Sequence, residues 1–204
     1  MAPTLCGLPA EIKQRIIITS YSLDMIFNLA ITCRSMYSTF KVAEGIITYT
    51  ILSQKLDPSH LAIAIAHHAA VKAPWKYNVD PSIPLPTDQT QYLNHVTAFC
   101  NQYLSKQGSE LLLPVNSFTL PMGFYIENFD SVIQDMSYKY ALHLIGPLDL
   151  PTWIERAKVS RVFYILDMVV HLFPRSPVTL DEHHGSDPSK HDKAFNKFWS
   201  CFAP

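Results

Sequence analysis

Apolar side chains recur at helical spacing over residues 8–40, and polar segments separate one group of them from the next. Spacings of three, four and seven residues place side chains on one face of an α-helix. The polar run Thr19-Ser20-Tyr21-Ser22 interrupts the first group. The pattern therefore predicts three short helices, whose apolar stripes are Ile12, Ile16 and Ile17, then Ile26, Leu29, Ala30 and Cys33, and finally Met36, Tyr37 and Phe40.

Capping residues mark the ends of further helices along the chain. Asp57-Pro58 is predicted to end a helix that runs from Val42 to Leu56, and to begin the next helix, from Ser59 to Lys72. Thr152 and Glu155 match a T-x-x-E capping box, which predicts a helix that continues to about Phe173.

Three more apolar stripes predict helices elsewhere in the chain. They are Tyr92, Val96, Phe99, Cys100 and Tyr103; Ile133, Met136, Tyr140 and Leu144; and Phe195, Phe198, Trp199 and Phe202. Val162–Phe173 is apolar nearly all round, which favours a place at the centre of the core. The last stripe is expected to fold back over that core, although a helix facing a partner remains an alternative.

The segments between the helices are irregular in composition. Residues 73–90 contain four prolines, which are incompatible with a regular helix. Residues 108–123 leave strand and buried coil as alternatives, and residues 174–192 are polar and predict an exposed loop. The fold class predicted is mainly α. An N-terminal three-helix unit over residues 5–45 precedes an irregular helical C-terminal domain over residues 46–204.

The N-terminal unit is too short to bury a core of its own. Chains below ~40 residues usually need a metal, a disulfide or a partner to stay folded. Residues 8–40 contain no metal-ligand spacing and a single cysteine, Cys33. The apolar stripes are therefore completed either by later parts of the same chain or by another protein, and both explanations remain open.

The composition favours a protein that binds to partners. Charged residues make up 16% of the 204 residues, well below the ~25% of an average soluble domain. A well-filled helical core is an equally good explanation of that deficit. The formal net charge is −1 and the basic residues are scattered, so the sequence shows no electrostatic footprint for nucleic acid.

The sequence predicts a protein of the reducing compartments of the cell. The N-terminus lacks the charged-then-apolar pattern of a secretory signal. The apolar runs Leu61–Val71 and Val162–Phe173 are too short or too interrupted to span a bilayer, so we expect no membrane association. The four cysteines, at positions 6, 33, 100 and 201, form no C-x-x-C pair and predict reduced thiols in the cytoplasm or nucleus.

The N-terminal stretch LPAEIKQRIIITSYSLDMIFNLAITCRSMYSTF resembles an F-box in the form common in fungal proteins. That pattern runs Leu-Pro-x-Glu-Ile, an apolar pair, and then Leu-Ala-x-Thr-Cys-Arg with an aromatic residue. The matching positions are Leu8, Pro9, Glu11, Ile12, Ile16, Ile17, Leu29, Ala30, Thr32, Cys33, Arg34, Tyr37 and Phe40. The chain departs from the pattern at Thr19-Ser20-Tyr21, where many F-boxes keep a leucine-bearing turn.

The resemblance implies a role in ubiquitin conjugation. F-box proteins dock on the Skp-type adaptor of a cullin–RING ligase and bring protein substrates to it. The later helices are similar, more loosely, to the helical region of fungal F-box-like proteins. The ending FWSCFAP resembles a segment that in relatives continues into further helices, so we interpret the chain as a truncated gene model or a shortened paralogue.

The expected binding residues follow from this resemblance. The partner-binding positions are Leu8, Pro9, Ile12, Ile16, Ile17, Leu29, Cys33, Arg34, Tyr37 and Phe40. Leu8, Pro9, Ile12, Ile16, Leu29 and Cys33 are predicted to form the main contact stripe. For each position the alternative is a side chain in the protein's own core, within a stand-alone helical structural or interaction protein.

The sequence contains few signs of metal binding or catalysis. Residues 181–192 gather three histidines with acidic residues, but a flexible loop positions metal ligands poorly, and we interpret it as a solvated loop. His67 and His68 are adjacent on a helix and point about 100° apart, so they do not grip one metal ion as a pair. No nucleophile motif or phosphate-binding loop occurs. We predict no enzyme activity, cofactor or metal site.

Overall fold

A computed structural model describes residues 5–20, 22–75, 89–105, 113–145, 150–173 and 190–202. This part of the chain contains eight α-helices and no β-strand, which confirms a mainly α fold. The helices are α1 Ala10–Ile18, α2 Leu23–Ala30, α3 Arg34–Lys55, α4 Pro58–Lys72, α5 Gln89–Phe99, α6 Leu120–Ile145, α7 Trp153–Leu172 and α8 Lys190–Ser200.

The chain divides into two compact units. The first contains Met1–Leu61 and Leu113–Val132, and the second contains Ala62–Leu112 and Ile133–Pro204, so that the divisions fall within α4 and α6. The F-box-like unit over residues 5–45 stays a prediction. Its expected boundary after residue 45 lies inside α3, and both sides of that boundary belong to the first unit.

The core of the first unit is formed by α1, α2 and α3 together with the start of α6. Its buried apolar side chains are Ile17, Leu23, Ile26, Ala30, Met36, Phe40, Ile47, Ile51, Leu52, Phe118, Leu120, Met122 and Ile126. The Glu44 carboxylate accepts a hydrogen bond of 2.8 Å from the backbone N–H of Leu120, which ties α3 to the first residue of α6. The stripes of the three predicted N-terminal helices are therefore completed, in part, by the chain itself.

The second unit contains two well-packed helix contacts. Ser137 on α6 and Ser160 on α7 are fully buried, and their hydroxyl oxygens lie 2.9 Å apart. α5 continues into the π-helical turn Cys100–Leu104 and packs against α8. The fully buried ring of Phe198 lies 5.4 Å from that of Phe173. This confirms that the aromatic C-terminal helix folds back on the core of its own unit.

Several predicted helix ends are confirmed. α1 ends at Ile18, before the polar run at residues 19–22. The backbone N–H groups of Ser59 and His60 donate to the Asp57 carboxylate at 2.9 Å and 3.0 Å, so Asp57 caps α4. Thr152 and Glu155 exchange both hydrogen bonds of a capping box at the start of α7.

One prediction about the helices is wrong. The third stripe and the helix predicted from Val42 are one continuous helix, α3, because no residue between them breaks it. The helix predicted from the stripe Ile133, Met136, Tyr140 and Leu144 is confirmed, because all four residues lie in α6. Met136, Tyr140 and Leu144 are exposed, however, whereas Ile133 and the small residues Ser137 and Ala141 are buried. Small side chains allow α7 to approach closely at this face.

Other expectations are met in part or are not tested. Only one face of the segment after Val162 is buried, because Val162, Leu166 and Val170 are exposed. In the ambiguous stretch 108–123, a 3-10 turn at Val115–Ser117 precedes α6. Three of the segments discussed above lie outside the described residues. They are residues 76–88 of the proline-rich connection, residues 106–112, and residues 174–189 of the polar stretch.

Candidate partner-binding surface and a His–Asp–His cluster

α1 presents two neighbouring apolar stripes to different surroundings. Ile17 is fully buried against the core of the first unit, whereas Ile12 is 42% exposed and Ile16 is half-buried. Residues four apart lie on one side of a helix, so Ile12 and Ile16 share a stripe next to the buried one. At the start of the helix Pro9 is exposed and Leu8 is half-buried.

α2 and the start of α3 continue this division. Leu29 and Cys33 are half-buried, and Arg34 is exposed. Tyr37 is 51% exposed, but Phe40, three residues later, is 3% exposed and belongs to the core. We define the N-terminal surface as the eight expected partner-binding positions that keep some exposure, namely Leu8, Pro9, Ile12, Ile16, Leu29, Cys33, Arg34 and Tyr37.

The structure separates Ile17 and Phe40 from the other expected partner-binding residues. Both side chains are buried within the first unit and offer no surface to a partner in this conformation. For these two positions the alternative, a side chain in the protein's own core, describes their environment. The helical periodicity of a short stripe does not tell which of two adjacent stripes faces inward, so the sequence alone did not separate them.

Three exposed apolar residues were missed by the resemblance. Met25, Phe27 and Ile31 are each about half exposed on or directly after α2. The Phe27 ring also meets the Phe124 ring of α6 edge-on, with centroids 6.4 Å apart. The signal was available in the sequence, because Leu23, Ile26 and Ala30 occupy the buried face and leave these side chains on the other faces of α2.

α1 is held against α3 by a buried lysine. Lys13 is 6% exposed, and its ammonium donates a hydrogen bond of 2.6 Å to the hydroxyl of Ser35. A buried charged group is tolerated only with such a partner. The contact fixes α1 against the first turn of α3, and therefore positions Ile12 relative to Tyr37.

The second unit contains a cluster of three potential metal ligands. His67 lies on α4, while Asp167 and His171 lie one turn apart on α7. The distance between His67 Nε2 and Asp167 Oδ2 is 2.6 Å, and His171 Nε2 lies 3.2 Å from the same oxygen. The three ligand atoms all lie within 4.8 Å of one another.

The cluster is asymmetric in burial. The His67 side chain is fully buried, and the side chains of Asp167 and His171 are about one third exposed. The hydrogen bond from His67 lowers the pKa of Asp167, and the nearby His171 acts in the same direction. Asp167 is therefore an ionised carboxylate at neutral pH.

The neighbouring pair His67 and His68, which suggests no metal site, gives no sign of this cluster in the sequence. The structure joins His67 to residues one hundred positions later in the chain. One part of the cluster is detectable in the sequence. Asp167 and His171 are four residues apart, which places both side chains on one face of α7. The histidines of residues 181–192, which we interpreted as a solvated loop, lie outside the described side chains.

Comparisons with known proteins add no family assignment. Neither the protein-family models, nor the curated proteins, nor the solved structures contain a match to this chain. Among the described helices none is both long enough and apolar enough to cross a membrane.

Proposed function

We propose that this protein is a substrate-recruiting subunit of a Skp–cullin–F-box ubiquitin ligase, and that it docks on the Skp-type adaptor through the N-terminal surface. The observation that carries the proposal is the exposure of Ile12 and Tyr37, two positions of the F-box pattern, on helices whose other faces are buried in a core. These helices have support from their own chain and still offer apolar side chains to another protein.

The proposed docking needs burial of apolar surface and no catalytic chemistry. A standard protein–protein contact buries ~800 Å² on each partner, and a few central side chains carry most of its energy. Ile12 and Tyr37 are the strongest candidates for that role, because they are the exposed large hydrophobic side chains of the N-terminal surface. No catalytic residue, cofactor or nucleic-acid contact is part of the proposal.

The other partner in this proposal is a protein substrate, bound by parts of the chain outside the N-terminal surface. No leucine-rich or propeller repeat is present in the sequence, so the class of substrate is not assigned. We place the protein in the cytoplasm or nucleus, because its cysteines show no disulfide framework.

A stand-alone helical structural or interaction protein is the second candidate. The burial of Ile17 and Phe40 favours it, because these two F-box positions serve the protein's own core. The two candidates differ in what the exposed stripe of α1 does. If the protein acts alone, Ile12 and Ile16 bind no other protein, and their replacement cannot abolish such binding.

The test is co-purification with the cognate Skp-type adaptor, compared between the wild type and the double variant Ile12→Asp with Ile16→Asp. We expect the wild type to recover the adaptor, and the double variant to lose it while it keeps a cooperative thermal unfolding transition. Ile17→Ala serves as the reference for core damage, since loss of a buried isoleucine costs ~2–5 kcal/mol. Normal recovery of the adaptor by a folded double variant would contradict the proposal.

A further inference from the structure

The His67, Asp167 and His171 side chains converge on a single point of the second unit. Both imidazole rings direct their Nε2 atoms at the same carboxylate oxygen, Oδ2 of Asp167. We propose that these three residues bind a divalent transition-metal ion such as zinc. This site is independent of the N-terminal surface and of the proposed ubiquitin-ligase role.

The two distances from the imidazole nitrogens to the Asp167 oxygen are close to those of a zinc site, and the three ligand atoms lie within 4.8 Å of one another. Zinc binds imidazole nitrogen and carboxylate oxygen at ~2.0–2.2 Å, so ligand atoms at the corners of a tetrahedron lie ~3.3 Å apart. The distance from His171 Nε2 to Asp167 Oδ2 is 3.2 Å, and the corresponding distance from His67 is 2.6 Å. Insertion of the ion requires His67 and Asp167 to separate by less than an ångström.

The two helices hold the ligands in place before the ion arrives. The buried ring of His67 meets the ring of Tyr164 edge-on at 5.6 Å and that of His171 at 6.1 Å. Asp167 and His171 are fixed relative to each other by the helical turn between them. Because about a third of each of these two side chains is exposed, solvent reaches the α7 side of the cluster, where water can complete the coordination shell.

The donor set determines the class of ion. Magnesium and calcium prefer oxygen ligands, whereas imidazole suits zinc, copper, nickel and iron. Metal binding also requires deprotonated ligands. A carboxylate meets this requirement at neutral pH, and each imidazole meets it when the ion displaces its Nε2 hydrogen. Two imidazoles and one ionised carboxylate therefore select a borderline transition metal.

The competing explanation is a hydrogen-bonded triad that binds no ion. In that case both Nε2 atoms carry hydrogens and share one acceptor oxygen. The observation that favours the ion is the gathering of three ligand atoms within 4.8 Å of one another, because loss of the two Nε2 hydrogens leaves three lone pairs within reach of one ion. A direct measurement of binding distinguishes the two explanations.

The experiment is a calorimetric titration of the purified full-length chain with zinc chloride. His183, His184 and His191 are replaced by serine in every sample, because the polar stretch at residues 181–192 is an alternative source of imidazole ligands. Asp167→Asn and His171→Ala remove one ligand each at partly exposed positions, and circular dichroism checks that both variants are folded. His68→Ala is the matched control, since it removes the adjacent imidazole of α4.

We expect one zinc ion per chain, with an affinity that Asp167→Asn and His171→Ala each lower by at least ~10- to 100-fold, the loss found when only a supporting residue of a metal site is changed. His68→Ala should leave the affinity unchanged. The imidazole ¹⁵N resonances of His67 and His171 should shift on addition of zinc to the chain with the intact site, which gives a readout that needs no ligand variant.

Three results would overturn the proposal. The first is an absence of zinc binding to the chain with the intact site. The second is binding that both ligand variants retain in full. The third is a zinc-induced shift confined to histidines other than His67 and His171. Each of these results leaves the hydrogen-bonded triad as the correct description of the cluster.

Discussion

Glycine marks the closest approaches between elements of the first unit. A Cβ atom at Gly123 would lie 2.7 Å from Cγ2 of Thr48 and 2.9 Å from Cδ1 of Leu23. A Cβ atom at Gly45 would meet the backbone carbonyl oxygen of Val115, with the Cα of Asn116 at 2.9 Å. These contacts hold the start of α6 and the turn before it against α2 and α3.

Gly45→Ala is predicted to destabilise the protein, although alanine is the better helix former by ~1 kcal/mol. The atoms that a Cβ would meet belong to the backbone and cannot move aside as a flexible side chain does. Overpacking of this kind costs ~1–3 kcal/mol. Chemical denaturation should show the loss. Val42→Ala, at an 85% exposed position of the same helix, is the control and should change stability by no more than ~0.5 kcal/mol.

Thr48→Val is predicted to stabilise the protein. The Thr48 side chain is fully buried, and its hydroxyl has no hydrogen-bond partner among the described residues. A buried hydroxyl without a partner costs ~1–3 kcal/mol, which valine avoids at nearly the same shape. We expect a gain of about 1 kcal/mol in the free energy of unfolding. Thr50→Val is the comparison, because the Thr50 hydroxyl already donates to the carbonyl of Ile46. A loss of stability in Thr48→Val would show that its hydroxyl has a partner.

At the scale of elements, helix ends follow from local sequence and helix faces do not. The caps of α4 and α7 depend on residues within three positions of each other, so the sequence predicts them correctly. The continuity of α3 was missed because the stripe that ends at Phe40 and the helix predicted from Val42 were assigned to separate helices. The face of α3 that meets α6 is set by contacts of single residues: the Glu44 carboxylate accepts from the backbone N–H of Leu120, and Gly45 packs against the turn at Val115 and Asn116. Such contacts come from distant parts of the chain and leave no period in the sequence.

The cap of α4 is predicted to make stability depend on pH. Burial alone raises the pKa of Asp57, but hydrogen bonds from Ser59 and His60 outweigh it and lower the pKa from 3.8 to about 2. The unfolded chain therefore binds the proton first as the pH falls. The stabilising contribution of the Asp57 charge is complete above pH 3.8, and it is lost as the pH falls through about 2.

The measurement compares the wild type with Asp57→Asn, which retains a capping side chain but no charge. The stability difference between them should be below ~1 kcal/mol, because Asp57 is more than a third exposed, and it should shrink between pH 3.8 and about 2. Asp135→Asn is the control for an exposed acid, since its only described partner is the exposed Lys139. A difference that stays constant over this pH range would show that the charge of Asp57 contributes nothing.

At the scale of the whole molecule, the sequence predicts the mainly α class but not the long-range pairings. The first unit recruits residues 113–132 across a long separation, and the ligand cluster joins α4 to α7. Periodicity reports which residues share one helix, and it carries no information about which helices meet. The F-box resemblance identified exposed positions such as Ile12 and Tyr37, but it also included Ile17 and Phe40, which the fold uses internally.

The central claim is that the N-terminal surface is completed by another protein, and an affinity titration with the Skp-type adaptor tests it most directly. Ile12→Asp should weaken binding by at least ~30-fold, the effect of losing a contact worth ~2 kcal/mol. Val42→Asp introduces the same charge at an exposed apolar position of α3 outside the surface and should leave the affinity within ~2-fold. Equal affinities of the folded Ile12→Asp variant and the wild type would contradict the account.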